Sequence, residues 1–101
     1  MSAYFIVEIK TKAENKQDYA EYVGKVRSIV EKYKGRYLSR GGKVTSVFGK
    51  WEPERIILIE FPSVQDIKRW LNSSEYKQVA KLRENSVTTK AIIVEGIKDG
   101  E

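Results

Sequence analysis

Residues Arg55–Phe61 read Arg-Ile-Ile-Leu-Ile-Glu-Phe, with Ile56 to Ile59 apolar without a break. Successive side chains of a strand point to opposite faces of its sheet. An unbroken apolar run therefore puts apolar groups on both faces, and both must be largely covered. Pro62 ends the run, because proline has no N–H to give to the ladder. Ser63, with Asp66 three residues on, has the pattern of a helix N-cap. Whatever else this chain forms has to wrap both sides of that strand.

The flanking sequence supplies the wrapping. Residues 4–10 alternate, with Phe5, Val7 and Ile9 on one face and Tyr4, Ile6 and Glu8 on the other, which predicts a strand. Thr11-Lys12-Ala13-Glu14 fits a capping box, with Asn15 as a competing N-cap. A helix is expected from there to about Tyr33. Its apolar stripe is Tyr19, Tyr22, Val23, Val26, Ile29, Val30 and Tyr33, and Gly35 is its stop signal. Arg36–Ser39 and Lys43–Phe48 read as extended. Gly41-Gly42 between them suits a hairpin turn or a bulge within one long strand. The bulge is favoured, because it leaves a single chain reversal, at residues 49–54. After Pro62 a helix buries Val64, Ile67, Trp70 and Leu71. Asn72-Ser73-Ser74 interrupts it, and Ser74 can cap a further helix with Tyr76, Val79 and Ala80 inward. Thr88 to Ile97 is the last expected strand, with Ile92 and Val94 on one face and Ala91, Ile93 and Glu95 on the other.

Strand, helix, strand, strand, broken helix, strand is the split βαβ pattern of the ferredoxin-like α+β fold, a four-stranded antiparallel sheet with helices on one face. The 101 residues make one domain, residues 1–101. The helices cover one face only. The other is expected to carry Ile6, Ile56, Leu58 and Ile93. Burying such a patch is worth roughly 25 cal/mol per Å², and a second copy packing sheet to sheet is the simplest cover.

Composition removes several function classes. The chain has neither cysteine nor histidine. Thiolate chemistry, disulfides and histidine-ligated metal or haem are therefore excluded, and no cofactor or metal is expected. The net charge is +5, yet the 19 basic residues are scattered among 14 acids, which describes a solvated surface rather than a nucleic-acid footprint. An RNA platform would also need exposed aromatics on the central strands, and the open face offers only Tyr4. No nucleic-acid partner is expected. No apolar run approaches the ~18 residues of a membrane span, and the N-terminus lacks the charged region of a signal peptide. A cytoplasmic protein without a membrane partner is the expectation.

Several marks together resemble domain-of-unknown-function family 1330 (DUF1330) of the dimeric α+β barrel superfamily. They are Arg40-Gly41-Gly42, Gly49, Trp51, Pro53, Arg55, Glu60-Phe61-Pro62-Ser63, Trp70, Ser74, Tyr76, Arg83 and Glu95-Gly96. Phe48 departs from the pattern, which often has an acid there. The resemblance implies a homodimer whose sheets form a barrel around a cavity. It supplies no established activity. Relatives by fold include small monooxygenases and isomerases, and that is analogy alone.

Strand parity puts Glu60 and Glu95 on the open face, at the same end of the sheet. A carboxylate buried there needs a partner, and Arg40 can hold one through two hydrogen bonds. One reading is an ion pair inside a dimer. The other is a cavity in which Glu60 is a general acid or base, Arg40 binds an anionic ligand, and Tyr4, Trp51 and Glu95 line the site. The expected partner is then a small acidic or aromatic molecule, held by a metal-free enzyme of monooxygenase or isomerase type or by a non-catalytic ligand-binding or stress-associated module. Trp70 and Tyr76 read as core, and Arg83 as a structural residue bonding a strand end or a helix carboxylate.

Overall fold

Strand β1 (Ala3–Thr11) is the hub of the sheet, hydrogen-bonded on both sides. It buries Ala3, Phe5, Val7 and Ile9 and turns Tyr4, Ile6 and Glu8 the other way. The computed structural model describes residues 2–12 and 14–97. The chain continues through α1 (Lys16–Lys32), β2 (Arg36–Arg40), β3 (Arg55–Phe61), α2 (Val64–Asn72), α3 (Ser74–Ser86) and β4 (Val87–Glu95). The sheet order is β2-β3-β1-β4, antiparallel at every junction. This is the expected ferredoxin-like α+β fold.

The helices cover the face of Phe5, Val7 and Ile9. Trp70 of α2 is 1 % exposed and holds that layer together. Phe5 meets it edge-on at 5.2 Å, Phe61 stacks at 5.5 Å, and Tyr76 of α3 tilts onto it at 4.6 Å. Aromatic pairs of this geometry add to the area they bury. The Ser63 hydroxyl accepts from the Asp66 N–H and caps α2 as expected. Ser73, not Ser74, caps α3, accepting from the Tyr76 N–H. Helix α1 begins after Asn15, the competing cap, although its side chain makes no cap bond and donates to the Asn85 carbonyl instead. Ala13 of the alternative box lies outside the described residues. Past α1 the left-handed residue is Lys34. Gly35 serves contact instead: a Cβ there would stand 2.5 Å from Val30 and 2.8 Å from Phe61.

Three expectations about the strands need correction. Lys43–Phe48 pairs with no strand among the described residues. The bulge lies at Tyr37/Ser39, before Gly41-Gly42, and β2 ends at Arg40. The faces of β4 are also exchanged. Ile93 pairs with Phe5, and Glu95 with Ala3, so both take the parity of the helix-covered side. Ile92 and Val94 occupy the open face, 59 % and 41 % exposed. Ala91 to Val94 is apolar throughout, so only pairing with β1 decides which way it turns.

Replacing Trp70 with Ala removes the common partner of three rings. The expected cost is about 3–5 kcal/mol of unfolding free energy, measured by urea denaturation.

Candidate functional site

A cavity of about 130 Å³ lies between α1, α3 and the covered face of the sheet. A dry cavity of similar size, ~150 Å³, accepts benzene, so a single ring sets the scale. Phe5, Val7, Ile9, Ile57 and Ile59 form its floor, and Val23, Val26, Trp70 and Leu71 close it. Its polar lining is one-sided. Four of the chain's six tyrosines (Tyr19, Tyr22, Tyr37, Tyr76) and three of its six arginines (Arg40, Arg55, Arg83) border it. Among the described residues no carboxylate does.

The basic groups arrive by different routes. Arg55 begins β3 opposite Ile9, and its guanidinium lies 5.6 Å from the centre of the Tyr19 ring. Gly41, at φ +81°, leaves room for it; a Cβ there would come within 3.1 Å of Nη2. Arg40 pairs with Ile57, turns to the covered side, and sits 5.1 Å from the Tyr37 ring. Arg83 crosses from α3: Nη1 donates to Thr89 Oγ1 at 2.7 Å and Nε to Tyr76 Oη at 3.2 Å. Tyr22 Oη and Tyr76 Oη share a further bond at 3.1 Å.

Donors are in surplus. Tyr19 Oη, Arg55 Nε and Trp70 Nε1 are buried without a protein partner among the described residues. All three side chains line the cavity, and the two nitrogens can only donate. Burial raises the Tyr19 phenol against the opposing charges of Arg55 and Arg40. It pushes Tyr37 up to about 12 against Arg40, and Tyr22 is raised by burial and by Tyr76. These phenols are neutral donors at physiological pH. Burial opposes the Arg83 charge, but Tyr76, Tyr22 and Glu84 outweigh it and hold the guanidinium protonated.

The residues expected to form one site are divided between two faces. Arg40 lines the cavity. Glu60 pairs with Tyr4 on the open face and binds Arg36 at 2.6 Å, not Arg40. The Arg36 guanidinium holds the Glu60 carboxyl below its usual range. Tyr4 shares that open face. Trp51, 61 % exposed, borders a second depression with Ile6, Glu8, Ile56, Lys90, Ala91 and Ile92, about 190 Å³ in volume. Glu95 is exposed at the end of β4, with the parity opposite to Glu60. Arg55, Tyr19, Tyr22 and Tyr37 were not expected at a site. The available signal was a helix stripe that uses tyrosine where aliphatic residues pack as well. Arg83 does bond a strand residue, as expected, but one at the cavity. Among the described residues no group of three or more acids gathers to hold a metal.

A family model described as a domain of unknown function, DUF1330, matches residues 2–97. The chain belongs to the DUF1330 family. Among curated proteins none matches this DUF1330 chain. A crystal structure of a protein of unknown function from Rhodopseudomonas palustris is similar, with TM-score 0.77 and 16 % identity, covering 96 % of this chain and 83 % of that one. SnoaB, a cofactor-independent oxygenase from Streptomyces nogalater, aligns with TM-score 0.66 and 8 % identity over 98 % and 96 % of the two chains. A dimeric protein of unknown function with a ferredoxin-like fold from Bacteroides fragilis gives 0.56 and 13 % over 94 % and 96 %. At such identities the likeness is one of fold.

The raised phenols set the alkaline behaviour. The fold favours the neutral form and the unfolded chain releases its proton first, near pH 10. Stability is therefore complete below about pH 10 and falls as pH rises toward 12. In the folded protein Tyr37 and Tyr22 should show little phenolate absorbance at about pH 11 and should gain it on adding urea.

Proposed function

We propose that this protein holds a small organic acid, with a largely apolar or aromatic body, in the cavity between the helices and the sheet. One observation carries the reading: an aromatic cavity bordered by three arginines and, among the described residues, by no carboxylate. Arg55 is half-buried, and its enclosed Nε without an acceptor is costly. An anionic ligand supplies a counter-charge and an acceptor for the Arg55 Nε at once. Arg40 and Arg55 are the ligand-binding residues on this reading. Glu60 remains with Arg36 and takes no part in the cavity.

The open face supports a homodimer, and the Bacteroides fragilis relative is described as dimeric. Ile6, Ile56, Leu58, Ile92 and Val94 form an apolar sheet surface that no helix covers among the described residues; Ile92 and Val94 are exposed and the other three half-buried. Trp51 stands at its side, where it would pack in the seam between two copies. A metal-free oxygenase activity is the second reading, favoured only by the fold shared with SnoaB.

Calorimetric titration with benzoate tests the acid site. Binding is expected, and Arg55→Leu should weaken it at least about tenfold, the scale of one lost charge-assisted bond. Equal affinity of the variant would remove the proposal. For the assembly, sedimentation should give twice the 11.7 kDa chain mass, and Ile92→Lys should shift it toward monomer.

A further inference from the structure

The hydrogen atoms of the tyrosine pair can be counted. Tyr22 and Tyr76 are 8 % and 7 % exposed, and each hydroxyl carries one hydrogen and accepts through its oxygen. Tyr76 Oη accepts from Arg83 Nε. Only one hydroxyl hydrogen can lie in the Tyr22–Tyr76 bond, whichever of the two donates. The other has no acceptor among the described residues. If Tyr22 donates, Tyr76 holds the spare hydrogen; if Tyr76 donates, Tyr22 does. Either way one neutral O–H at this end of the cavity remains to be satisfied.

This end, which holds Arg83, is separate from the end of Arg55 and Arg40. Arg55, Ile9 and Thr89 stand in one row across β3, β1 and β4. Arg55 marks one side of the row. Thr89, bonded to Arg83, marks the other. Two strand spacings put them ~10 Å apart at the backbone. Along α1 the same order recurs, with Tyr19 beside Arg55 and Tyr22, one turn on, beside Tyr76. The cavity thus has Arg55 and Arg40 at one pole and, at the other, a spare hydroxyl beside Arg83, whose Nε and Nη1 are already bonded to Tyr76 and Thr89, with apolar side chains between.

We infer that the ligand is an oxo acid: a carboxylate received by Arg55 and Arg40, and a carbonyl oxygen, about one ring away, received by the spare hydroxyl of the Tyr22–Tyr76 pair. The inference rests on the acid-binding reading above and adds a second recognition point to it. A carbonyl suits the far pole because it only accepts. An ammonium there would bring hydrogens to a pole that already has one too many, and positive charge beside Arg83.

Three para-substituted benzoates compared by calorimetry decide the matter. 4-Acetylbenzoate carries the carbonyl, 4-isopropylbenzoate has the same shape without it, and 4-(aminomethyl)benzoate carries an ammonium. 4-Acetylbenzoate is expected to bind roughly tenfold tighter than the isopropyl compound, and the ammonium compound weakest. Tyr22→Phe alone should keep the preference, since the remaining Tyr76 hydroxyl still has its hydrogen free. Tyr22→Phe/Tyr76→Phe should abolish it while leaving 4-isopropylbenzoate affinity in place. Equal binding of the acetyl and isopropyl compounds by the wild-type protein overturns the donor pole and leaves the acid site standing. Failure of all three acids to bind overturns both readings.

Discussion

Leu38 stands opposite no residue of β3: Tyr37 pairs with Ile59, and the next paired residue, Ser39, with Leu58. Side chains of a strand alternate with period two, so one extra residue reverses the face of everything after it. Without the bulge, with Leu38 paired to Leu58, Arg40 would stand opposite Ile56, on the open face that Glu60 occupies. With it, Arg40 stands opposite Ile57 and turns to the cavity. The chain then leaves the sheet at Gly41, whose positive φ and missing side chain leave room for the Arg55 guanidinium. The bulge and the glycine bring two cations to one end of an apolar chamber.

That gathering has an electrostatic cost, which the structure meets unequally. Arg83 is half-buried and gives hydrogen bonds to Thr89 and Tyr76. Its charge is met within the protein. Arg36 and Glu60 meet each other on the open face, with the arginine largely in solvent, a type of pair that contributes little. Arg55 has the Tyr19 ring beneath it and no acid beside it among the described residues. The ring face attracts a cation but does not accept from Nε. Of the three cavity arginines it is the one whose buried donor is left for a ligand.

The elements themselves were legible because each rests on local rules. The stripe of α1, the Ser63 cap and the alternation of β1 all needed only near neighbours in sequence, and their order was enough to name the fold. The site was less legible, because it depends on parity carried across strands. The Ala91–Val94 run has no polar residue to mark its inner face, so Ile93 and Glu95 were placed on the wrong side. Arg40 was paired with Glu60 because nothing in Tyr37-Leu38-Ser39 announces a bulge. Tyr19 and Tyr22 were seen, but as core. A stripe position satisfies the same periodicity whether its ring fills a core or edges a cavity.

What the cavity can do chemically follows from the protonation of its lining. A general base must lose its proton before it can take one, and here every nearby phenol whose titration is shifted is shifted upward. With no carboxylate lining it among the described residues, and no histidine in the chain, its arginines and phenols donate. Such a lining stabilises negative charge wherever it develops on a bound molecule, whether a resting carboxylate or a carbonyl oxygen becoming an enolate. It does little to remove the proton that would create that enolate. On the acid-binding reading, the part of this lining in any reaction is therefore to hold developing negative charge, while the proton passes to the bound molecule itself or to water.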